Sequence, residues 1–209
     1  MRRTIKGEPL PQSQIDMILR AISTGLALRK TDTLLELACG NAALAQSYIT
    51  SCQAYLGIDI SPTLIAVAKT SFEAPPEIVF RCADVLDVLG AEPSPERFTK
   101  VLCYAAIQYF PDEMIVEILT GLHREFPNVA RIFLGNLPDL ERAGAFFGDA
   151  LPPVDDLRSN ETPIGIWRSQ TEMGLLCDHS GWDAQFSRMP DPFYAASYRY
   201  DITLTRKRT

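Results

Sequence analysis

Residues 33–43 read TLLELACGNAA, and this stretch decides the fold. Its first half, Thr33–Leu37, is short and apolar, which is typical of a buried strand. The positions that follow include three small residues, Ala38, Gly40 and Ala42. A helix is predicted directly afterwards, over 43–49. A strand, a small-residue turn and a helix start form a cradle for a ligand at the carboxyl edge of a sheet. Taken alone, the pattern fits a buried strand before a packed alanine-rich helix equally well.

Strand-like and helix-like patterns alternate along most of the chain, which predicts an α/β sheet with crossover helices. Further strands are predicted at Ala54–Ile60, Ile78–Arg81, Lys100–Tyr104, Arg131–Leu134, Asp183–Arg188 and Tyr198–Thr205. The last of these alternates apolar and polar residues, as a half-buried antiparallel strand would. Helix starts are predicted at Ser61–Pro62 and at Ser169, which has Glu172 at capping-box spacing. The 209 residues suit a single domain.

Two aspartates stand at the ends of the second and third predicted strands. Asp59 follows Glu36 by 23 residues and can accept both hydroxyl hydrogens of a ribose. Asp84 can accept a hydrogen bond from the exocyclic amine of a purine. Either aspartate alone could be a helix or turn cap, the commoner role. Acidic residues at three successive strand ends, all at one edge of the sheet, favour a nucleotide-like ligand.

These residues resemble the motifs of class I S-adenosylmethionine-dependent methyltransferases. The first family motif is written E/D-x-G-x-G-x-G, and Glu36, Ala38, Gly40 and Ala42 occupy its four defining positions. The resemblance extends over about residues 30–205. It implies a three-layer αβα Rossmann-like sandwich, with a seven-stranded, mostly parallel sheet whose last strand is antiparallel. It also implies that the cofactor is S-adenosyl-L-methionine. The cofactor-binding residues would be Glu36, Ala38, Gly40, Asn41, Asp59, Ile60, Asp84, Val85 and Tyr104.

Within this resemblance, Gly40 would lie beside the methionine portion of the cofactor and Glu36 would polarise its amino end. The chain departs from the motif where alanine replaces glycine, at 38 and 42. Alanine is strained wherever the backbone needs a positive φ. Position 42 is expected to open a helix, where alanine is comfortable, so cofactor binding is expected to survive. A binding subunit that holds the cofactor or its demethylated product without turnover remains an alternative. A nicotinamide-dependent oxidoreductase is a weaker one, because the G-x-G-x-x-G pattern is missing.

Methyl transfer requires chiefly that the acceptor be aligned with the sulfonium methyl and stripped of water. Candidate catalytic residues follow the fourth and fifth strands: Tyr104, Gln108, Tyr109 and Asn136, with Asp139 close by. The two tyrosines could equally be core aromatics. Of the two histidines, His123 is predicted on a helix far from the cleft. His179 is predicted in the last turn of a helix, where a cation suits the dipole, and a catalytic role is the less favoured alternative for it.

The proline-containing stretch 137–166 lacks clear periodicity and is interpreted as an insertion or lid over the acceptor site. Residues 1–30 are interpreted as an N-terminal helical cap. Enzymes that methylate the amino groups of nucleic-acid bases carry a Pro-Pro motif after the fourth strand, whereas this chain has Tyr104-Ala105-Ala106-Ile107. The chain also lacks the Pro-Cys dipeptide of cytosine-C5 enzymes.

The acceptor is expected to be a small polar molecule methylated on oxygen or nitrogen. A looser similarity of Phe133–Asp139 and Trp167–Leu204 to polysaccharide and secondary-metabolite methyltransferases indicates a sugar or secondary metabolite. The net charge of −6 argues against a long nucleic-acid footprint. Five scattered cysteines without zinc spacing, and no signal or membrane-spanning segment, indicate a cytoplasmic protein without a metal site. A homodimer is left open.

Overall fold

The structure is a computed structural model that describes residues 4–5 and 8–207. Its strands are β1 (Thr4–Ile5), β2 (Glu8–Pro9), β3 (Thr33–Leu37), β4 (Ala54–Asp59), β5 (Ile78–Cys82), β6 (Lys100–Tyr104), β7 (Arg131–Pro138), β8 (Trp182–Ser187) and β9 (Arg199–Arg206). Its α-helices are α1 (Gln12–Leu26), α2 (Pro62–Phe72), α3 (Val85–Ala91), α4 (Asp112–Glu125), α5 (Ala143–Phe147), α6 (Val154–Leu157) and α7 (Gln170–His179).

Strands β3 to β9 form one sheet in the order β5-β4-β3-β6-β7-β9-β8. In this sheet β9 runs opposite to the other six strands. The central strands carry apolar residues on both faces of the sheet, because helices cover both faces of a parallel sheet. One face packs under α1 and α2, and the other under α3, α4 and α7. The predicted three-layer αβα sandwich, with a seven-stranded and mostly parallel sheet, is confirmed.

Two predicted helix starts are present as expected. Ser61 caps α2 by accepting a hydrogen bond from the Leu64 N–H, and Pro62 occupies the first helical position. Ser169 and Glu172 form a complete capping box at the start of α7. Such caps satisfy backbone N–H groups that have no partner within the helix.

The helix predicted over 43–49 is wrong. The chain instead forms two short 3₁₀ turns, Ala45–Ser47 and Ile49–Ser51. Ala42 has a left-handed φ of +59°, so the backbone leaves the loop in a direction that does not lead into an α-helix. The good helix propensity of alanine is overridden here by the tight turn.

The predicted N-terminal cap, 1–30, and the predicted lid, 137–166, have different structures. In 1–30, residues 1–3 and 6–7 lie outside the described residues, and α1 packs on the sheet, chiefly against β7 and β6. Segment 137–166 begins with the end of β7 and continues through short helical turns. Hydrogen bonds join it to the turn after β6, from Ile166 N–H to Gln108 O (2.8 Å) and from Tyr109 OH to Pro163 O (2.7 Å). Its role as a lid stays a prediction.

Arg206, the last residue of β9, is part of the fold. Its guanidinium donates to the carbonyl oxygens of His123 (2.6 Å) and Phe126 (2.7 Å), at the end of α4. It also lies over the ring of Trp182, 5.0 Å from the centroid. Arg208 lies outside the described residues. No helix in the described part of the chain is long and apolar enough to cross a membrane.

Candidate active site

The loop after β3 runs through three left-handed residues. Ala38, Gly40 and Ala42 have φ values of +54°, +58° and +59°. The expectation that Ala42 is comfortable at a helix start is therefore wrong, since both alanines adopt a conformation that L residues avoid. Gly40 faces open space: a Cβ built on it would have only Leu64 Cδ1 for a neighbour, at 4.0 Å. A ligand can therefore approach the backbone at Gly40.

Asp59, the last residue of β4, uses both carboxylate oxygens to shape the neighbouring backbone. Oδ2 accepts from the Gly40 N–H at 2.8 Å, and Oδ1 accepts from the Ser61 N–H at 2.9 Å. Each oxygen can accept more than one hydrogen bond, so the carboxylate can still bind a ligand hydroxyl. Ile60 follows with 72% of its surface exposed, an apolar side chain beside a carboxylate. This pairing suits a ribose and its attached base.

Glu36 lies buried near the end of β3. Its Oε2 accepts hydrogen bonds from the hydroxyls of Tyr48 and Tyr55, each at 2.7 Å. Burial and then the Glu36 charge raise the pKa of Tyr55 well above its ordinary value, so this phenol stays a donor. A buried carboxylate is stable only when it is hydrogen-bonded, and here two tyrosines supply the donors. Neither tyrosine was predicted to contribute to the site.

Asp84 forms the N-cap of α3, where its Oδ1 accepts from the Leu86 N–H at 2.8 Å. The capping interpretation weighed for this residue is thus confirmed, and a second role at a ligand stays a prediction. Val85 is buried behind it. The side-chain oxygen Oδ1 of Asn41 accepts a hydrogen bond from the Ala43 N–H in the same loop, at 3.3 Å.

The ends of β6 and β7 bring Tyr104, Gln108 and Asn136 to one part of the sheet edge. The Ala105 N–H donates to Gly135 O at 2.8 Å, which ties together the backbones that carry these side chains. Gln108 and Asn136 are only 3% and 6% exposed. Among the described residues, Gln108 Oε1 and Asn136 Oδ1 are buried without a hydrogen-bond partner. Such atoms are uncommon in proteins and call for an explanation.

Segment 137–166 explains why Gln108 is buried. Gly165, at φ +81°, lies against it so closely that a Cβ there would be 2.6 Å from Gln108 O. Tyr109 behaves differently: it is 40% exposed, and its hydroxyl donates to Pro163 O. Asp139 is fully buried and pairs with Arg188. The structure therefore brings together the backbone segments that carry Tyr104, Gln108 and Asn136. Tyr109 and Asp139 hold neighbouring chain in place.

Arg199 and Asp201 of β9 also belong to this region and were missed. Arg199 donates to Asn136 O, and Asp201 accepts from the Asn136 N–H at 2.7 Å. The alternation in this strand suggested that its polar residues face solvent, yet Asp201 is buried. Asp201 is an acidic residue in a strand that pairs with neighbours on both sides, β7 and β8, and this was the available indication that it has a specific role.

Comparison with known proteins agrees with this geometry. Residues 34–125 match the family model described as a methyltransferase domain. An uncharacterized methyltransferase of Schizosaccharomyces pombe is 29% identical over 152 residues. The match covers 69% of this chain and 51% of that protein, so the chain spans about half the length of this relative.

These matches confirm that the chain resembles the class I S-adenosylmethionine-dependent methyltransferases. Magnesium protoporphyrin IX methyltransferase from Synechocystis PCC 6803 has a similar structure, with a TM-score of 0.64 and 14% identity over 94% of this chain and 83% of that one. Human N-acetylserotonin methyltransferase has a TM-score of 0.61 and 22% identity, covering 91% and 52% of the two chains. At these identities the structures establish the shared fold.

The edge of the sheet at the ends of β3 and β4 fits S-adenosylmethionine, the cofactor of the methyltransferases that the chain resembles. The open backbone at Gly40 lies next to the Asp59 carboxylate, and Ile60 presents an exposed apolar surface for a base. Glu36 supplies a negative charge behind the loop, suited to an ammonium group. The two orphaned amide oxygens lie further along the same edge, after β6 and β7. Assignment of individual contacts to the cofactor stays a prediction.

Proposed function

We propose that this methyltransferase transfers a methyl group to an oxygen or nitrogen atom of a small polar metabolite, such as a sugar or a secondary metabolite. The observation that carries the proposal is the pair of buried, unpartnered amide oxygens, Gln108 Oε1 and Asn136 Oδ1. An amide oxygen accepts a hydrogen bond from a hydroxyl or an amine. An acceptor bound there would satisfy two atoms that are otherwise desolvated without a partner.

The proposed chemistry assigns orientation to these side chains. S-adenosylmethionine supplies an electrophilic sulfonium methyl. The amide oxygens would accept the one hydrogen bond of an acceptor hydroxyl or the two of an acceptor amine, and direct its lone pair at that methyl. The proton that the acceptor loses would pass to solvent as the methylated product leaves. Carboxamides do not take up a proton near neutral pH, so Gln108 and Asn136 would act by alignment and by excluding water. Tyr104, buried at the end of β6, would form the floor of the same space.

Aromatic rings next to Asn136 support an acceptor with a ring. The Arg199 guanidinium, which bonds to Asn136 O, lies 5.3 Å from the centroid of the Tyr198 ring. That ring lies 4.8 Å from the ring of Phe146, which is 43% exposed. Small-molecule sites typically combine such apolar walls with a few placed polar groups. The negative net charge also fits a small molecule better than a nucleic acid.

The test uses the purified chain, methyl-labelled S-adenosylmethionine and a panel of nucleotide sugars and small amines. Transfer of label to a panel compound is the expected result. Gln108→Met and Asn136→Gly should each lower kcat by about tenfold or more, the effect of one lost orienting hydrogen bond. Cofactor affinity, measured by calorimetry, should remain unchanged. Glycine suits position 136 because it accepts the left-handed backbone.

Gln185→Met is the matched control, because Gln185 is an exposed residue of β8 outside this edge. It should retain wild-type kcat. If the chain binds the cofactor but labels none of the panel, the proposal fails, and the alternative of a non-turnover binding subunit gains support. If label is transferred equally well by all three variants, Gln108 and Asn136 do not align the acceptor.

A further inference from the structure

Two residues of β9 bind the backbone of Asn136, one at its N–H and the other at its carbonyl oxygen. Its backbone N–H donates to Asp201 Oδ1 at 2.7 Å, and its carbonyl oxygen accepts from Arg199 Nη1. Arg199 and Asp201 stand two positions apart in a strand, so their side chains emerge on the same face of the sheet. One face of β9 thus holds the peptide on either side of Asn136.

These hydrogen bonds lie where the regular pairing of β7 with β9 is interrupted. The register between β7 and β9 shifts between Leu134 and Leu137, and Asn136 inside the shift has a φ of +68°. Such irregularities re-aim a side chain and are frequent next to active sites. A left-handed asparagine persists only where its surroundings hold it, and Asp201 and Arg199 are the side chains that do so.

We propose that Asp201 is a positioning residue for methyl transfer, which fixes the direction of the Asn136 side chain by holding its backbone N–H in the bulge. The inference rests on the proposed function, in which the Asn136 amide aligns the acceptor. The Asn136 Oδ1 atom has no partner within the described part of the chain. The backbone of Asn136 sets the direction of its Cα–Cβ bond and so limits the positions that this oxygen can reach.

Asp201 is buried in the fold but borders a cavity of about 750 Å³ between α1, the strands β7 to β9 and the chain after β8. The cavity gives its carboxyl group access to protons. Charged residues that line the same cavity include Arg20 of α1, Arg131 of β7 and Arg188 after β8, and Arg199 lies two positions before Asp201 on its own strand. Burial raises the pKa of Asp201 to about 6, although the hydrogen bond from Asn136 opposes the rise. Protonation would turn the carboxylate into a weaker acceptor and loosen the bulge.

The experiment compares Asp201→Asn, Asp201→Ala and the control Asp183→Asn, which removes a charge from an exposed position of β8. Steady-state methyl transfer is measured from pH 5 to 9 with the panel compound that the wild-type chain methylates fastest. Cofactor affinity is measured by calorimetry, and the Asn136 backbone amide is followed by NMR over the same pH range.

Asp201→Asn keeps an oxygen that can accept from Asn136 but lacks the charge, so its kcat at pH 8 should be lowered to about the level that wild type reaches below pH 6. Its kcat should lack the decline that wild type shows below about pH 6, and its Asn136 amide shift should not titrate there. Asp201→Ala should lower kcat by about 10- to 100-fold with the cofactor Kd unchanged, since it removes a hydrogen bond to a charged group. The control should match wild type in all three measurements.

The proposal is overturned if folded Asp201→Ala keeps wild-type kcat, or if the acid decline persists in Asp201→Asn. It is also overturned if the Asn136 amide of wild type shows no titration near pH 6. If wild type methylates no panel compound, the proposed function fails. The NMR titration then still decides whether Asp201 holds Asn136, so the two failures are distinguishable.

Discussion

The backbone N–H of Gly40 donates a hydrogen bond of 2.8 Å to Oδ2 of Asp59, which ties the loop after β3 to the end of β4. The same carboxylate holds the Ser61 N–H, at the start of α2. Asp59 therefore organises the backbone of the cofactor edge as well as presenting a charge to it. A substitution that preserves the shape of Asp59 but changes its acceptors tests both roles.

We expect Asp59→Asn and Asp59→Ala to weaken S-adenosylmethionine binding by about tenfold or more. An asparagine would place an N–H₂ group against one of the two backbone N–H donors, and alanine would leave both without a partner. Calorimetry measures the loss. Asp87→Ala, on the exposed side of α3, is the control and should bind like wild type. An Asp59→Ala chain with wild-type affinity would remove Asp59 from the site.

The left-handed backbone at Ala38 gives a second prediction. Ala38→Gly should raise the free energy of unfolding by about 0.5–1 kcal/mol, because relief of about 1–2 kcal/mol of strain exceeds the entropy lost by using glycine. Ala43→Gly, in the same loop but without a positive φ, should instead be destabilising. Denaturant titrations of the two variants measure the difference. Equal destabilisation by both would show that position 38 carries no strain.

The sequence was sufficient to predict where Glu36, Asp59 and Asp84 lie. Parallel strands end at one edge of their sheet, so acidic residues at successive strand ends must share that edge. The backbone of Ala42 was predicted wrongly, since alanine before an apolar run normally indicates a helix. Local propensity carries no information about the tight turn that tertiary structure imposes there.

Asp201 could not be identified as buried from the alternation in β9. A period of two separates the faces of a strand but does not tell which face is covered. Here the chain after β8 and helix α1 lie over the face that bears Asp201, and loop paths leave no periodic signal in the sequence. Tyr48 was missed for the same reason, because it reaches Glu36 from a short turn outside any regular element.

The hydroxyl of Tyr55 should contribute more to the free energy of unfolding than the hydroxyl of Tyr109. Tyr55→Phe removes a donor to the buried Glu36 carboxylate and should cost about 1.5–3 kcal/mol of unfolding free energy. Tyr109→Phe removes a bond from a partly exposed hydroxyl to a carbonyl and should cost about 1 kcal/mol or less. Chemical denaturation measures both. A larger loss for Tyr109→Phe would contradict the ranking.

The raised pKa of Asp201 also predicts how stability depends on pH. Burial raises the pKa from its ordinary value to about 6, so the folded chain binds more protons than the unfolded chain between about pH 4 and 6. Stability contributed by this group is present below the unfolded pKa and is lost as pH rises through the folded one. One pKa unit corresponds to about 1.4 kcal/mol, so the loss should be about 2–3 kcal/mol.

Asp201→Asn should abolish that loss. The free energy of unfolding of wild type should fall relative to that of the variant by about 2–3 kcal/mol between pH 4.5 and 7.5. Denaturant titrations at both pH values measure this difference, in which the other titrating groups cancel. Asp183→Asn should follow wild type. Parallel pH profiles for wild type and Asp201→Asn would mean that the Asp201 carboxyl does not titrate in this range.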